Sequence, residues 1–510
     1  MSKSWYERLS VQDSSFLVFE DANTHMHVGG VAILDVGPLA TPSGGIDIQR
    51  IRAYINSRLA WIPRYRQRLA FIPIENYPVW IDDDHFNLKY HVRHTSLPRP
   101  GDERQLKRLI GRIMSQQLDR GKPLWEAWII EGLEGNRFAF MTKAHHCMVD
   151  GIASVDLVSV LMSPEPTTTF DTPAPWKPRP APGRWELLGA ELQRRTQAPV
   201  ELLTTARDIL QDPERARTQL GEQASAAWAL VRAGLRFAAE TPINRPIGPH
   251  RRFDWLTLDL GEVKTVKNRL GGTVNDVVLA TVAGAVRRFL RNRGVDVAGL
   301  DYRAVIPVSV RAPEEHGTMG NRVSAWLTSL PIQEPEPRRR LARVSEITAD
   351  LKRSKQALGT EVLTKIGEWA GSGLMTLGVR LTARLHPFNL IITNVPGPPM
   401  PLYMLGARFM EGYPQVPLFE SQSLGVALFS YVDKLCWGFN ADYDLLPDLH
   451  DFVTATAAAF RELHDAATQP VAGTGAPSGP RAHRGRTPPV APARRTTRRT
   501  PSRSPTESTA

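Results

Sequence analysis

The chain has 510 residues, 42% of them hydrophobic, and only two cysteines, Cys147 and Cys436, which excludes a small disulfide-stapled scaffold and fits cored domains in a reducing, cytosolic setting. No run reaches the ~18 apolar residues that cross a bilayer, and the start Met1-Ser2-Lys3-Ser4-Trp5-Tyr6 is polar where a secretory signal would be apolar. Residues 466–510 supply +7 of the formal charge of +11, through eight arginines against Glu507, so the body is nearly balanced and nucleic acid is disfavoured as its partner.

Up to about residue 163 the pattern alternates strands and helices, a mixed α/β domain. Val28–Val36 reads as a strand, Ile46–Leu69 as an amphipathic helix, Val79–His94 as extended chain and Asp102–Leu118 as a helix. Arg137–Ala144 is a mostly apolar strand, and Ile152, Val155, Leu157, Val158, Leu161 and Met162 recur at helical spacing. His145-His146-Cys147-Met148-Val149-Asp150-Gly151 therefore caps a strand-to-helix corner.

Histidine is the side chain that accepts and returns a proton near neutral pH, so His146 suits a general base acting on a hydroxyl. Asp150 and Gly151 would let a tight turn bring a carboxylate back to the imidazole backbone, or pair it with a distant arginine. The same spacing also arises by chance, and such a histidine is more often a satisfied buried group. Residues at a strand end alternate in direction, so His145, His146 and Cys147 do not converge on one zinc ion, and no metal is expected. Sequence neighbours such as Cys147 and His146 seldom face each other, and no Gly-x-Ser-x-Gly elbow supplies a serine. Direct transfer without a covalent enzyme intermediate is the simpler scheme.

Seven prolines between Pro164 and Pro182 mark a linker, and an alternately charged and apolar stretch from Trp185 to Glu240 reads as a helical crossover. A second α/β pattern follows: strand 253–260, helix 261–270, helix 274–292, strands 302–310 and 322–330, and helices through 341–386. Asn389–Val395, two extended segments near 424–432 and 435–441 and a helix Leu449–His464 close it. The expected organisation is an N-terminal domain (1–163), a linker and crossover (164–240), a C-terminal domain (241–465) and a tail (466–510), with the active site in the cleft between the two similar halves. The tail holds eight prolines and no aromatic residue, Leu, Ile or Met, a composition expected to stay disordered. Its arginines suit anionic lipid headgroups, with a merely solvated extension as the alternative. Nucleic acid comes third, for want of interleaved aromatics.

Several separated segments resemble one family. They are Leu9-Ser10-Val11-Gln12-Asp13 with Phe16-Leu17 and Glu20, His25-Met26-His27-Val28-Gly29-Gly30, Pro123-Leu124-Trp125, Thr273-Val274-Asn275-Asp276-Val277, Met319-Gly320-Asn321 and Asn394-Val395-Pro396-Gly397-Pro398. Together with the His-His-x-x-x-Asp-Gly motif they resemble the bacterial wax ester synthase/diacylglycerol acyltransferases, over essentially residues 5–465. The resemblance implies two mixed-sheet α/β domains of the CoA-dependent acyltransferase type. It implies His146 as general base, His145 assisting in shape or hydrogen bonding, Asp150 holding the loop and Gly151 permitting its turn. Acyl-CoA enters as substrate, with no cofactor, and the acceptor is diacylglycerol or a long-chain alcohol at a membrane or lipid-droplet surface.

Residue chemistry leaves other roles open for the remaining segments. Asn275 and Asp276 could face developing negative charge at a helix N-terminus, or serve only as cap and first-turn residues. Pro123, Leu124 and Trp125 read first as core, while the resemblance puts them at the substrate pocket. His25 and His27 are expected to alternate along a strand, so that at most one faces any pocket. Two other functions compete: an acyltransferase with a carrier-bound donor or a specialised alcohol acceptor, and a non-catalytic lipid-binding scaffold.

Overall fold

The computed structural model describes residues 4–148, 160–173, 175–194, 238–309, 323–353 and 387–469. Its strands are β1 (Glu7–Arg8), β2 (His27–Asp35), β3 (Gln67–Phe71), β4 (Pro78–Asp82), β5 (Val92–Ser96), β6 (Trp125–Leu133) and β7 (Arg137–His145), then β8 (Arg251–Asp259), β9 (Arg303–Ser309), β10 (Val323–Ser329), β11 (Leu390–Pro396), β12 (Tyr403–Met404), β13 (Ala407–Gln415), β14 (Leu424–Tyr431) and β15 (Lys434–Asp442). The helices used below are α1 (Val11–Phe19), α2 (Ile48–Arg58), α3 (Leu88–His91), α4 (Glu103–Met114), α5 (Leu260–Leu270), α6 (Val274–Asn292), α7 (Pro337–Arg353) and α8 (Leu449–Thr468).

Among the described residues the strands form two six-stranded mixed sheets and a small one, β1-β4-β3. The first large sheet runs β12-β13-β2-β7-β6-β5 and the second β10-β9-β11-β14-β15-β8. The mixed α/β expectation holds, with each sheet carrying its parallel pairs beside antiparallel ones.

Helix α4 forms because Asp102 and Gln105 make a reciprocal capping box, and its Leu106, Ile110, Ile113 and Met114 lie on one buried face. Helix α6 is apolar nearly all round because the second sheet's helices enclose it: α7 and α8 pack on it, and Val277 to Val286 is buried throughout. That accounts for the longest apolar run of the sequence without a membrane, and no helix among the described residues is long and apolar enough to cross one.

Two element readings are corrected. The helix expected over Ile46–Leu69 ends at Arg58, because Pro63 cannot continue it, and Gln67–Phe71 is strand β3. The extended segment expected over Val79–His94 is broken by α3, which Asn87 caps. The Pro-rich stretch after residue 163 is strapped down where it is described: Arg50 Nη2 donates to the Thr168 carbonyl at 2.7 Å, and Arg179 grips the Asp82 carboxylate at 2.7 and 2.9 Å.

The largest departure from the expected division is the pair β12–β13. It lies late in the chain yet completes the first sheet, with β13 antiparallel to β2 from Phe409↔Leu34 to Gln415↔Gly29. Gly406, Gly412 and Pro414 break the apolar alternation there, which hides the strand from pattern reading. A shared core follows. Val31 and Ile33 from β2, Ile110 and Ile113 from α4, Phe253 and Trp255 from β8, Tyr413 from β13 and Cys436 from β15 are buried in one cluster. The Trp255 and Tyr413 rings stack at 4.8 Å.

Where β15 passes β13, Gly438 leaves no room: an added Cβ would lie 2.0 Å from the Pro414 carbonyl oxygen. Gly438→Ala is expected to cost about 1–3 kcal/mol of stability, measured as a lower midpoint in chemical denaturation. An unchanged midpoint would mean that the two sheets are not held together at that crossing.

Candidate active site

The site is built on the end of β7. Paired antiparallel to β2, β7 sets His145 opposite His27, and the chain then turns into a short 3₁₀ segment, His146–Met148. Two backbone hydrogen bonds fix the corner: His145 N–H donates to the Leu124 carbonyl at 2.9 Å and His146 N–H to the Met26 carbonyl at 2.7 Å. The two imidazoles face different partners, His145 toward Glu20 and His146 toward Phe16.

The His146 ring lies flat against Phe16 of α1, centroids 3.8 Å apart and planes inclined by 18°. Its Nδ1 is buried and has no hydrogen-bond partner among the described residues. Burial, with a smaller push from His145, pulls the His146 imidazole down to about 4, so it is neutral at physiological pH and able to take a proton.

The His145 ring is fully buried, and its Nδ1 accepts a hydrogen bond from Cys147 N–H at 3.1 Å. That puts a ring proton on Nε2, which faces Glu20 Oε2 at 3.5 Å without forming a hydrogen bond. Glu20 Oε1 in turn lies 3.6 Å from His27 Nε2, and Arg120 holds the same carboxylate at 2.6 and 2.9 Å. Burial would raise the Glu20 carboxyl, but its contacts with His145 and Arg120 outweigh it and bring it to about 2. Lys143, two residues before His145, is fully buried and donates from Nζ to the carbonyls of Ile113 (2.9 Å) and Gln116. Burial lowers its ammonium to about 8.

His25 and His27 do not alternate along a strand: β2 begins at His27, and the His25 ring stands 5.5 Å from that of His27, both buried. Burial first, then Lys143 and the neighbouring imidazoles, push His27 well below its ordinary value. Burial pushes the Cys147 thiol well above the ordinary range, with Asp13 and Glu20 adding to it, so the thiolate a nucleophile requires is suppressed.

Pro123-Leu124-Trp125 supports the corner from behind. Leu124 is fully buried, and Trp125 donates from Nε1 to the Tyr65 carbonyl at 2.8 Å and stacks on His91 at 4.7 Å. Asp276 makes a capping box with Thr273 and accepts from Thr348 Oγ1 of α7 at 2.7 Å, so its carboxylate is committed to holding α6; Asn275 beside it is half-buried. The structure thus brings together His145, His146, Leu124 and Trp125, while Asp276 serves its own helix. At the Asn394–Pro398 turn Gly397 permits a close approach, since a Cβ there would lie 2.2 Å from the Ser430 carbonyl oxygen. Asp150, Gly151 and Met319-Gly320-Asn321 lie outside the described residues. Lys143 and Arg120 escaped the sequence reading, because a buried lysine and a loop arginine carry no local pattern.

Comparison with known proteins bears on this arrangement. A family model described as the wax ester synthase/diacylglycerol acyltransferase catalytic domain matches residues 9–278, and its C-terminal companion matches residues 319–464. The chain belongs to the wax ester synthase/diacylglycerol acyltransferase family. It is 32% identical to a Mycobacterium tuberculosis protein named probable diacylglycerol O-acyltransferase, over 86% of this chain and 92% of the relative. It is 30% identical to the Acinetobacter baylyi O-acyltransferase WSD, over 87% and 93%. The solved wax ester synthase/diacylglycerol acyltransferase from Marinobacter aquaeolei superposes with a TM-score of 0.63 at 27% identity, covering 90% of this chain and 99% of that one. The first condensation domain of the calcium-dependent antibiotic synthetase shares the fold at 16% identity, with a TM-score of 0.56 over 92% and 98% of the two chains. As a member of this acyltransferase family the chain is an O-acyltransferase.

The depressed Glu20 carboxyl fixes one pH response. Its stabilisation is fully present above the ordinary value of 4.5 and is lost as pH falls through about 2. Stability against denaturant is therefore expected to decline between pH 4.5 and 2, and to decline less over that window in Glu20→Gln. Parallel curves for the two proteins would show that Glu20 is not charged in the native state.

Proposed function

We propose that this family member moves a long acyl chain from the thioester of acyl-CoA to the hydroxyl of diacylglycerol or of a long-chain alcohol, with His146 as general base. The observation that carries the reading is the neutral His146 imidazole, seated against Phe16 with its buried Nδ1 unpaired among the described residues.

In this reaction the acceptor hydroxyl gives its proton to His146 as its oxygen attacks the thioester carbonyl. The tetrahedral intermediate collapses, the C–S bond breaks, and the CoA sulfur takes the proton back from the imidazolium. No enzyme acyl intermediate forms, in keeping with the suppressed Cys147 thiol. Asp150 shapes the loop and Gly151 permits its turn, Asn275 borders the substrates, and Pro123, Leu124 and Trp125 back the corner from behind. Acyl-CoA is a substrate, and the reaction calls for no resident cofactor.

Both acceptors partition into lipid, so the enzyme works at a membrane or lipid-droplet surface on the cytoplasmic side. The arginines of residues 466–510 favour that placement, each worth about 1 kcal/mol near an anionic surface.

Thiol release from palmitoyl-CoA, with diacylglycerol or hexadecanol supplied separately, tests the reading. Release is expected to depend on the acceptor and to fall by about 10² to 10⁴ in His146→Ala. Acceptor-dependent release undiminished in that variant overturns His146 as the base; no release from folded protein with either acceptor shifts the donor to a carrier-bound acyl chain.

A further inference from the structure

We propose that α1 is the positioning element of the histidine pair: Phe16, on its last turn, fixes the plane of the His146 ring, and Glu20, at its C-cap, fixes the tautomer of His145. The inference rests on His146 being the base and says how its orientation is set.

The helix is suited to this by its own anchoring. Ser10 caps it, accepting from Asp13 N–H at 3.0 Å, and Leu17 and Ser14 are buried. At the other end Glu20 N–H donates to the Phe16 carbonyl at 3.2 Å, tying the two residues to each other. Arg120 then locks that end, donating to the Leu17 carbonyl at 3.1 Å and to the Glu20 carboxylate. The Glu20 side chain is only 5% exposed, so its charge is felt strongly by what it faces.

Two contacts carry the effect to the pair. Phe16 covers one face of the His146 ring at 3.8 Å, which removes water from that face and restricts rotation about the ring. Glu20 acts through His145. An ionised carboxylate at 3.5 Å favours the proton on Nε2, leaving the Nδ1 lone pair to accept from Cys147 N–H. That hydrogen bond closes the turn on which His146 sits. With Glu20 uncharged, the ring is free to hold its proton on Nδ1, where it opposes Cys147 N–H and opens the turn.

The titratable and charged groups around the pair come from each packed element. They are Asp13 on α1 and Glu20 at its C-cap, His25 and His27 at the head of β2, Arg64 before β3, Lys143 on β7 and Arg120 after α4. Ser10 Oγ donates to Asp13 at 2.7 Å, and Lys143 is spent on the end of α4. The group acting directly on His146 is His145.

The test uses the full chain, with kcat and KM for palmitoyl-CoA measured across about pH 5 to 9 for Phe16→Leu, Phe16→Tyr and Glu20→Gln, together with melting temperature. Phe16→Leu is expected to lose about tenfold to a hundredfold in kcat with KM little changed. Its acid limb should move to higher pH as water reaches the imidazole, and Phe16→Tyr should restore both. Glu20→Gln is expected to lose kcat in the same range, and histidine ¹⁵N shifts should show His145 leaving the single Nε2–H form. Variants altered only in melting temperature, with wild-type kcat, pH profile and ¹⁵N shifts, overturn the proposal. If Glu20→Gln does not fold, Phe16→Leu set against Phe16→Tyr decides the matter. An inactive His146→Ala beside normal Phe16 and Glu20 variants sinks this inference alone, whereas an active His146→Ala removes the general-base reading beneath it.

Discussion

A buried carboxylate gripped by an arginine and set against a buried imidazole is the constraint around which the site is arranged. Taking Glu20 out of water costs several kcal/mol unless its charge is met on more than one side. It is met by Arg120, which donates to it twice, while the His145 and His27 rings stand against it at 3.5 and 3.6 Å. Each of these partners belongs to a different stretch of chain, so satisfying one charge gathers α1, the head of β2, the loop after α4 and the end of β7. The backbone bonds from His145 to Leu124 and from His146 to Met26 then leave the corner one conformation. The His146 ring is held by the same packing that satisfies the charge.

The fold supports this by refusing to be two separate halves. Strand β13 crosses into the first sheet, α4 of the first half lies on β8 of the second, and Glu103 accepts from Trp255 Nε1 at 3.2 Å across that contact. Gly111 allows α4 to come close, since a Cβ there would sit 2.8 Å from the Arg251 carbonyl oxygen. Arg251, buried at the same seam, donates to the Asn23 carbonyl just upstream of the histidine strand, so the second half braces the loop that leads into β2.

What could be read from sequence follows from how local its cause is. Helix α6 was readable almost to its ends because Thr273 and Asp276 write its cap and the apolar run writes its length. The His-His corner was readable because a strand pattern meets a helical one at a motif. Strand β13 was hidden because its partners lie nearly four hundred residues upstream and its Gly and Pro break the alternation. The contacts that seat the histidines were hidden for a similar reason: Glu20 and His145 stand far apart in the chain, and neither Phe16 nor Arg120 announces its target. Asp276 shows the converse. Its local reading as a first-turn residue agrees with its place at the third position of the helix, whose cap is Thr273 and not Asn275, and Thr348 adds a tertiary use that no pattern contains.

A base depressed to about 4 is a weak one in the ground state, and the proposed reaction has to reconcile that with proton abstraction from an alcohol. The resolution lies in when the proton moves. An isolated imidazolium is disfavoured at His146 because the ring is dry, but the attacking oxygen and the thioester carbonyl generate negative charge as the C–O bond forms. The low dielectric that penalises a lone cation strengthens its attraction to that charge. The imidazole is thus unprotonated while it waits and becomes a stronger proton acceptor as the transition state develops. A solvent-exposed histidine would be the better base at rest and would gain less at the moment of transfer, so in the proposed reaction water exclusion by Phe16 serves the chemistry as well as the geometry.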